Sequence, residues 1–221
     1  MQSSGVYCQW KSYPVKTGDG YNLVLFRLIA DSNGTPFDAS GGPLLLTSGA
    51  FSDTTDWLTR ANEESLDPAV AVMLAQRGRD VWIASGRCRQ LSRTHDLWDP
   101  LSTDPAIRKN YFDYSFEEVG EQDIPAFVDT IIAERSSSVC EKVTLMPHGS
   151  GVNQALIAAI RAPQFSEKVD QITALAPCLQ INDSYFFSGV LKDPLTVQLF
   201  YSLLEEVGVT SLFGSNFDVE K

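Results

Sequence analysis

The sequence contains few basic residues and no long apolar run, and each shortage excludes a class of protein. Its 221 residues carry 17 lysines and arginines against 28 aspartates and glutamates, which gives a formal net charge of -11. A chain with this balance cannot neutralise many phosphates, so we expect no nucleic acid partner and no electrostatic docking on anionic lipid. Without a run of about 18 apolar residues, we predict no transmembrane segment.

Cysteine is scarce, and its spacing does not indicate a metal site. The four cysteines contain no CxxC pair, which excludes a zinc ribbon or a thioredoxin-like motif; they are Cys8, Cys88, Cys140 and Cys178. Their even number is compatible with two disulfides, and free buried thiols are the alternative. We predict no cofactor and no bound metal.

The amino terminus lacks a recognisable leader. Residues 1–5 form neither a basic nor an apolar segment, so no signal peptide is predicted. Two glycosylation sequons, Asn33-Gly34-Thr35 and Asn182-Asp183-Ser184, are nevertheless compatible with a secretory protein. The cellular compartment therefore stays open.

The sequence does have an alternation of short apolar strands and helices. We predict buried strands over residues 21–29, 43–47, 80–84, 142–146 and 171–176, and helices over residues 69–77, 115–134 and 151–161. Asp67 is expected to cap the first of these helices, with Pro68 at its first position. Short apolar strands separated by helices predict a mostly parallel sheet covered on both faces, in an α/β domain.

The pattern changes after Pro177. Residues 185–207 are aromatic and helical in their spacing, and no further strand follows until the end of the chain. We therefore predict a core over residues 1–177 and a partial helical cap or insertion over residues 178–221, with the sheet incomplete at its carboxyl-terminal end. An incomplete sheet exposes an edge, so the isolated chain is expected to be poorly soluble unless another polypeptide covers that edge.

Functional residues of an open parallel sheet lie at the carboxyl ends of its strands. Three predicted ends carry small residues: Ser48-Gly49-Ala50, Ser85-Gly86-Arg87 and Pro147-His148-Gly149-Ser150-Gly151. The third lies between a predicted strand and a predicted helix, which is the arrangement of the nucleophile elbow Gly-x-Ser-x-Gly. The nucleophile position of this elbow holds Gly149.

Several stretches resemble the acid lipases of the gastric and lysosomal type, in one collinear order from about residue 12 to residue 180. Residues 15–21 resemble that family's V-x-T-x-DGY, residues 78–95 its GYDVWLGNxRGNxYSRxH, residues 113–126 its DFSFDEMGxxDLPA, and residues 174–177 its ALAP. Residues 48–53 resemble its His-Gly oxyanion loop. The resemblance implies an α/β-hydrolase core, a secretory or lysosomal setting and, in the family, ester hydrolysis by a serine nucleophile.

The departures from the family pattern bear directly on catalysis. His148 and Gly151 match the family elbow Gly-His-Ser-x-Gly, so Gly149 occupies the place of the serine and no acyl-enzyme can form there. Ser150 falls one position later, where the resemblance implies a backbone N–H donor to the oxyanion hole. Ser48 replaces the histidine of the oxyanion loop. The resemblance also implies an Asp and a His beyond the helical cap, where the chain shown ends.

His95 and a group of acidic residues each have a functional interpretation and a simpler structural one. His95 can act as a catalytic base, but we favour a structural role within its motif. The acidic residues at the start of the predicted helix over 115–134 can bind a metal, but we favour a solvated helix start; they are Glu117, Glu118, Glu121 and Asp123.

Two further features also have alternative explanations. Asp96 and Asp99, on either side of Trp98, can form an acid–base pair, and we favour ordinary surface carboxylates. The aromatic segment over residues 185–204 can line an acyl-binding cleft or form a docking surface. We favour docking, because the elbow has no nucleophile.

Three functions follow as hypotheses. The first is a lipase-like pseudoenzyme that serves as a structural or accessory subunit with other protein subunits as partners. The second is a working acid lipase, seen as a fragment or with serine replaced by glycine at position 149. The third is a protein that binds a lipid or fatty acid without chemistry.

Overall fold

A computed structural model of the chain describes residues 8–49, 52–59, 67–135, 142–162 and 164–177, with Leu179, Leu195 and Ser202 as single positions. Within these ranges the strands are β1 (Cys8–Lys16), β2 (Tyr21–Asp31), β3 (Pro43–Thr47), β4 (Asp80–Ser85), β5 (Thr94–His95), β6 (Val143–Pro147) and β7 (Val169–Ile172). The α-helices are α1 (Val70–Gln76), α2 (Pro105–Phe112), α3 (Phe116–Glu118), α4 (Ile124–Arg135), α5 (Gly151–Arg161) and α6 (Phe165–Lys168). A 3-10 helix covers Thr54–Leu58 and a π-helical turn covers Val119–Asp123.

The strands form one mixed sheet in the order β1-β2-β4-β3-β6-β7, with β5 paired to β2. The pairs β4–β3, β3–β6 and β6–β7 are parallel, whereas β1–β2 and β2–β4 are antiparallel. Parallel neighbours need crossover connections, and here helices supply them. The carboxyl ends of β3, β4 and β6 consequently lie along one edge of the sheet, and the candidate site lies at this edge.

Helices cover both faces of the central strands, as the apolar sequence of those strands predicts. Successive residues of β3 point to opposite faces: Leu45 belongs to one buried cluster, while Leu44 and Leu46 belong to the other. The first cluster includes Phe127 of α4 and Ala155 of α5, and the second includes residues of α1 and the 3-10 helix. The sheet is thus the middle layer of a three-layer α/β core, as expected.

The helix predicted over residues 115–134 is interrupted. Helix α3 begins after a capping box at Ser115, the turn Val119–Asp123 has π-helical hydrogen bonding, and α4 continues to Arg135. A π turn inserts one extra residue into a helix and is common at functional sites. Apolar periodicity alone cannot detect one extra residue, which is why a continuous helix was expected.

Two predicted boundaries are wrong. The last strand covers Val169–Ile172 rather than residues 171–176, and beyond it Leu175 makes a single parallel bridge with His148. Helix α1 begins at Val70 with Ala69 as its N-cap residue, which makes no side-chain capping bond. Asp67 is therefore not the N-cap residue of α1. Sequence signals place helix ends only to within a residue or two.

Three further expectations concern the cysteines, the helical cap and membrane spans. Cys8 and Cys88 are free thiols, and Cys140 and Cys178 lie outside the described residues. The predicted helical segment over residues 185–207 also lies outside them, apart from two single positions. Among the described residues, no helix is both long enough and apolar enough to cross a membrane.

Candidate active site

The segment from β6 to α5 has the backbone geometry of a nucleophile elbow. Pro147 ends the strand, Gly149 has a φ of +57°, and α5 starts at Gly151. The Gly149 N–H donates to the carbonyl of Leu175 at 3.0 Å, and the Gly151 N–H donates to the carbonyl of His148 at 3.0 Å. A left-handed residue between a strand and a helix is the strained turn that projects a nucleophile from the edge of a sheet.

Gly149 leaves free space at the apex of this turn. A Cβ at this position would meet only the Cα of Gly49, at 3.9 Å, within ordinary van der Waals distance. A side chain therefore fits sterically, although its backbone would be strained at a positive φ. With glycine at this position, the turn has neither that backbone strain nor a hydroxyl group at its apex.

The loop after β3 approaches the elbow closely enough to require a glycine. A Cβ on Gly49 would lie 2.8 Å from the carbonyl oxygen of His148 and 2.9 Å from the backbone nitrogen of Ser150. Similarly, a Cβ on Gly151 would lie 3.1 Å from Oγ1 of Thr47. The structure thus brings Ser48, Gly49 and the elbow residues together. Ala50 lies outside the described residues.

The Ser48 hydroxyl makes two hydrogen bonds within its own loop. Its Oγ donates to the carbonyl of Asp53 and accepts the indole N–H of Trp57, both at 3.0 Å. Arg89 supports the same loop, because its Nη2 donates to the carbonyl of Gly49 at 2.7 Å. Sequence reasoning missed the role of Arg89, since nothing local in the sequence connects residues 49 and 89.

The two histidines lie in different places, and among the residues that the structure describes neither makes a catalytic pair. His148 is exposed at the elbow, with its ring edge-on to Trp57 at 6.4 Å between centroids. His95 stacks on Trp98 at 4.2 Å. Its Nδ1 accepts the backbone N–H of Leu97 at 3.0 Å, so Nε2 carries the proton and donates to the carbonyl of Asp19 at 2.9 Å. Both ring nitrogens of His95 therefore bond to the backbone and stabilise the local structure.

The carboxylates at the start of the interrupted helix have three different partners, and two of the carboxylates share one of them. Glu118 accepts the backbone N–H of Ser115, at 2.7 Å, in the capping box. Glu117 and Glu121 lie within 3.8 Å of Arg161, and Asp123 turns inward to Arg87. Nowhere in the described ranges do three or more His, Cys, Asp or Glu side chains gather in a way that could hold a metal ion.

Asp96 forms an ion pair at the surface, and Asp99 stabilises a turn. Asp96 pairs with Lys16 at 2.6 Å and accepts the amide of Asn22 at 3.3 Å, and these two hydrogen bonds lower its pKa. Asp99 accepts the backbone N–H of Leu101 at 2.9 Å. These partners leave the two carboxylates in separate structural roles.

Below the site lies a buried ionic network that the sequence did not predict. Arg87 donates to Asp123 through Nε at 3.0 Å and through Nη2 at 2.5 Å, and to Asp19 through Nη1 at 2.8 Å. The rings of Tyr21 and Tyr114 lie over the guanidinium, with centroids 4.0 and 5.0 Å away. Burial lowers the pKa of Arg87, but the hydrogen bonds and charge of Asp123, then of Asp19, outweigh it and raise that pKa overall.

Cys88 has an unusual backbone beside this network. Its φ is +63°, a region that L side chains rarely adopt. The family pattern that residues 78–95 resemble has glycine at this position, whereas this chain has a residue with a side chain. Burial raises the pKa of the Cys88 thiol.

A cavity of about 430 Å³ lies between the loop after β3, the end of β4 and the interrupted helix. Thr47, Ser48 and Ser150 line its side nearest the elbow. Its apolar wall includes Val119, Ile124 and Phe127. A cavity of this size can hold a small amphipathic molecule.

The carboxylate of Glu118 gives a pH-dependent contribution to stability. Hydrogen bonds from the Ser115 side chain, then from its backbone, lower the pKa of Glu118. The stabilisation should be present above the unfolded pKa of about 4.3 and lost as the pH falls through the folded value. We therefore expect Glu118→Gln to lower the unfolding free energy by no more than about 1 kcal/mol at pH 7, and the difference from wild type to shrink steadily as the pH is lowered below about 4.3. Urea titrations at pH 7 and at a series of lower pH values measure this, and a difference that stays constant throughout the series would contradict it.

Comparison with known proteins agrees with this geometry. No protein-family model matches the chain. The chain is 30% identical to the lysosomal acid lipase/cholesteryl ester hydrolase of Rattus norvegicus over 195 residues, which are 86% of the chain and 45% of the relative. It is 29% identical to the gastric triacylglycerol lipase of Rattus norvegicus, over 78% of the chain and 40% of the relative. The chain thus spans less than half the length of these relatives.

Solved structures support the fold. An esterase from Pyrococcus furiosus matches 93% of the chain and 64% of its own, with a TM-score of 0.52 and 15% identity. A hypothetical protein from Pseudomonas aeruginosa matches 91% of the chain and 53% of its own, with a TM-score of 0.51 and 12% identity. The chain has an α/β-hydrolase fold. Within that class, its sequence relatives are the acid lipases of the lysosomal and gastric type, as its motifs indicated.

Proposed function

We propose that this chain is a lipase-like pseudoenzyme that does not hydrolyse esters and acts as a structural or accessory subunit. One observation carries the proposal: the apex of the elbow, with its φ of +57°, is Gly149. The fold has kept the strained turn whose purpose is to present a nucleophile, but no hydroxyl is there to form an acyl-enzyme. Removal of any triad member typically costs several orders of magnitude in rate.

Neighbouring serines are poor substitutes for the missing nucleophile. Ser150 has helical backbone angles at the start of α5, and a Cβ on Gly49 would lie 3.3 Å from its Oγ, so its hydroxyl faces the loop after β3. The Ser48 hydroxyl already donates to Asp53 and accepts from Trp57. The Ser48 hydroxyl therefore supports its loop, and the Ser150 hydroxyl lies beside that loop and not at the apex.

The subunit role rests on the edge of the sheet. Within the described part of the chain, β7 is the last strand and pairs on one side with β6. The other edge of β7 offers backbone N–H and C=O groups to a further strand, from the same polypeptide or from a partner protein. A pseudoenzyme in an assembly would use this edge for docking.

An acid lipase with a serine at position 149 is the second candidate, and the free space at Gly149 favours it. A serine there would attack the ester carbonyl, the N–H groups of Ala50 and Ser150 would hold the oxyanion, and an Asp/His pair outside this chain would move the proton. Binding of a lipid or fatty acid without chemistry is the third candidate, and the cavity of about 430 Å³ favours it.

The test begins with the protein from its native source. We expect the intact mass of the chain to match a sequence with glycine at position 149, and we expect a stoichiometric partner in the purified complex. The complex should not be labelled by a serine-directed fluorophosphonate. A solitary, longer polypeptide with serine at 149 would instead establish the acid lipase. Saturable binding of a fatty acid to the purified protein would support the third candidate.

Two variants of the same complex sharpen this test. Gly149→Ser restores the hydroxyl, and Gly149→Ala is its matched control because it adds the same backbone strain without a nucleophile. If the rest of the machinery is lost, both variants should hydrolyse short-chain esters no faster than wild type. Hydrolysis by Gly149→Ser alone, at least about a hundredfold above Gly149→Ala, would show that an intact Asp/His pair is present and would favour the second candidate, whereas ester hydrolysis by the wild-type Gly149 complex itself would overturn the pseudoenzyme.

A further inference from the structure

The end of the cavity nearest the elbow is polar and includes the guanidinium group of Arg89. Two arginines, Arg87 and Arg89, line the cavity. Arg87 forms ion pairs with Asp123 and Asp19. Arg89 donates one N–H to the carbonyl of Gly49 at 2.7 Å, and in the part of the chain that the structure describes no carboxylate forms an ion pair with it. The other N–H groups of this guanidinium can therefore donate to a ligand.

The acidic side chains that line the cavity have partners of their own. Asp123 pairs with Arg87. Oδ1 of Asp53 accepts the backbone N–H of Thr54 at 2.6 Å, in the capping box of the 3-10 helix. Among the described residues of the cavity wall, the charge of Arg89 is the one that these contacts leave uncompensated.

A buried hydroxyl group lies at the same end of the cavity. Thr47 lines the cavity and is 3% exposed, and its Oγ1 has no hydrogen-bond partner among the residues that the structure describes. A Cβ on Gly151 would lie 3.1 Å from this oxygen, which places it beside the first turn of α5. Buried hydroxyl groups normally have a partner, so this one indicates a molecule that completes its hydrogen bonding.

The rest of the cavity wall is apolar. Val119, Ile124 and Phe127 are buried and line the cavity. Phe116 also lines it, although 56% of the residue is exposed, so its ring lies at the opening. A molecule with an apolar body can therefore lie along this wall while its polar group reaches Arg89.

The positive charge at the cavity distinguishes this chain from the family pattern. The pattern GYDVWLGNxRGNxYSRxH, which residues 78–95 resemble, has the neutral residue asparagine at the position of Arg89. Gly149, at the apex of the elbow, is not among the described residues that line the cavity. The cavity thus lies beside the elbow, and the nucleophile position does not define it.

We propose that the cavity binds a small amphipathic carboxylate whose carboxyl group is held by Arg89 and Thr47. A guanidinium forms charge-assisted, often bidentate hydrogen bonds with a carboxylate. One negative charge matches the one uncompensated guanidinium, whereas a phosphate monoester would bring a second negative charge without a partner. The volume of about 430 Å³ suits an apolar body of medium length. The inference does not rest on the pseudoenzyme proposal, because it uses neither the apex of the elbow nor the edge of β7.

Calorimetric titration of the intact protein from its native source with octanoate tests the proposal. We expect saturable binding of one octanoate per chain. Octanol has the same apolar body without a charge and should bind at least about tenfold more weakly, and octyl phosphate should also bind more weakly than octanoate. No saturable binding of octanoate, equal binding of octanol, or tighter binding of octyl phosphate would overturn the proposal. Octanoate contains no ester, so the result is independent of any hydrolysis.

Two substitutions in the full protein separate ligand recognition from support of the loop. Arg89→Gln removes the charge but keeps an amide N–H that can donate to the carbonyl of Gly49. It should bind octanoate at least about tenfold more weakly than wild type. Arg89→Lys should lie between the two, because it keeps the charge without the bidentate geometry. The affinity for octanol should be the same in all three proteins.

Arg108→Gln is the matched control for these variants. Arg108 lies in α2, and its Nη1 also donates to a backbone carbonyl, that of Ser102, at 3.0 Å. It is not among the described residues that line the cavity, so its substitution should leave the affinity for octanoate unchanged. If Arg89→Gln weakens octanol and octanoate by the same factor, or if Arg108→Gln loses as much affinity for octanoate, Arg89 does not recognise the carboxylate.

Discussion

Asp123→Asn should lower the unfolding free energy of the protein by about 3 kcal/mol. The side chains of Asp123 and Arg87 are 0% and 1% exposed, so the guanidinium would lose its buried counter-charge. Asp19 would remain as a partner of Arg87, but its side chain is 32% exposed and water already screens it. Urea unfolding followed by tryptophan fluorescence should show a lower midpoint with an unchanged slope.

Asp129→Asn is the matched control for this prediction. Asp129 pairs with Lys168 at 2.6 Å, but the two side chains are 54% and 37% exposed. An exposed ion pair contributes about 1 kcal/mol at most, so this variant should unfold close to wild type. If the two variants lose the same amount of stability, the buried network does not hold the π turn against the end of β4.

The elbow could be predicted from the sequence because its signals are local. A buried strand, a run of small residues and an apolar helix follow one another within residues 142–161, and the structure places β6, the turn at Gly149 and α5 in that order. The strand pattern also predicted the layers correctly, since β3 buries side chains on both faces. Whether this elbow is a degenerate catalytic site stays a prediction.

The rest of the site depends on contacts between distant segments. Arg87 joins Asp19 and Asp123, residues 68 and 36 positions away along the chain. The acidic cluster including Asp123 resembled a helix start, and no periodicity distinguishes a carboxylate that faces solvent from one that a π turn directs inward. The contact between Arg89 and Gly49 has the same origin. Long-range pairing of this kind is set by tertiary packing.

Three positions of the site differ from the family pattern that the chain resembles. At position 149 a glycine relieves a strained turn, and at position 48 a serine, bonded to Asp53 and Trp57, holds the loop. At position 88 the change is opposite, because a cysteine accepts a φ of +63°. The positive φ at position 149 therefore falls on a glycine, which tolerates it, whereas at position 88 it falls on a residue with a side chain and is strained.

Gly120→Ala should destabilise the protein by about 2 kcal/mol, because the π turn and α5 meet at this glycine. An added Cβ would lie 2.7 Å from Cβ and Cγ2 of Ile157 and 2.8 Å from the carbonyl oxygen of Gln154. The backbone oxygen and a branched Cβ cannot move aside as a flexible side chain can. Alanine gains up to about 1 kcal/mol of helix propensity over glycine, and we expect the overpacking to exceed this gain.

Gly86→Ala is the steric control, since its Cβ would meet only Oδ2 of Asp123, at 3.8 Å. That variant should stay within about 0.5 kcal/mol of wild type, while Gly120→Ala unfolds at clearly lower urea. Equal midpoints for the two would mean that α5 moves freely away from the π turn. Because α5 begins at the elbow, such freedom would also mean that the apex at Gly149 is not held in place by the packing beneath it.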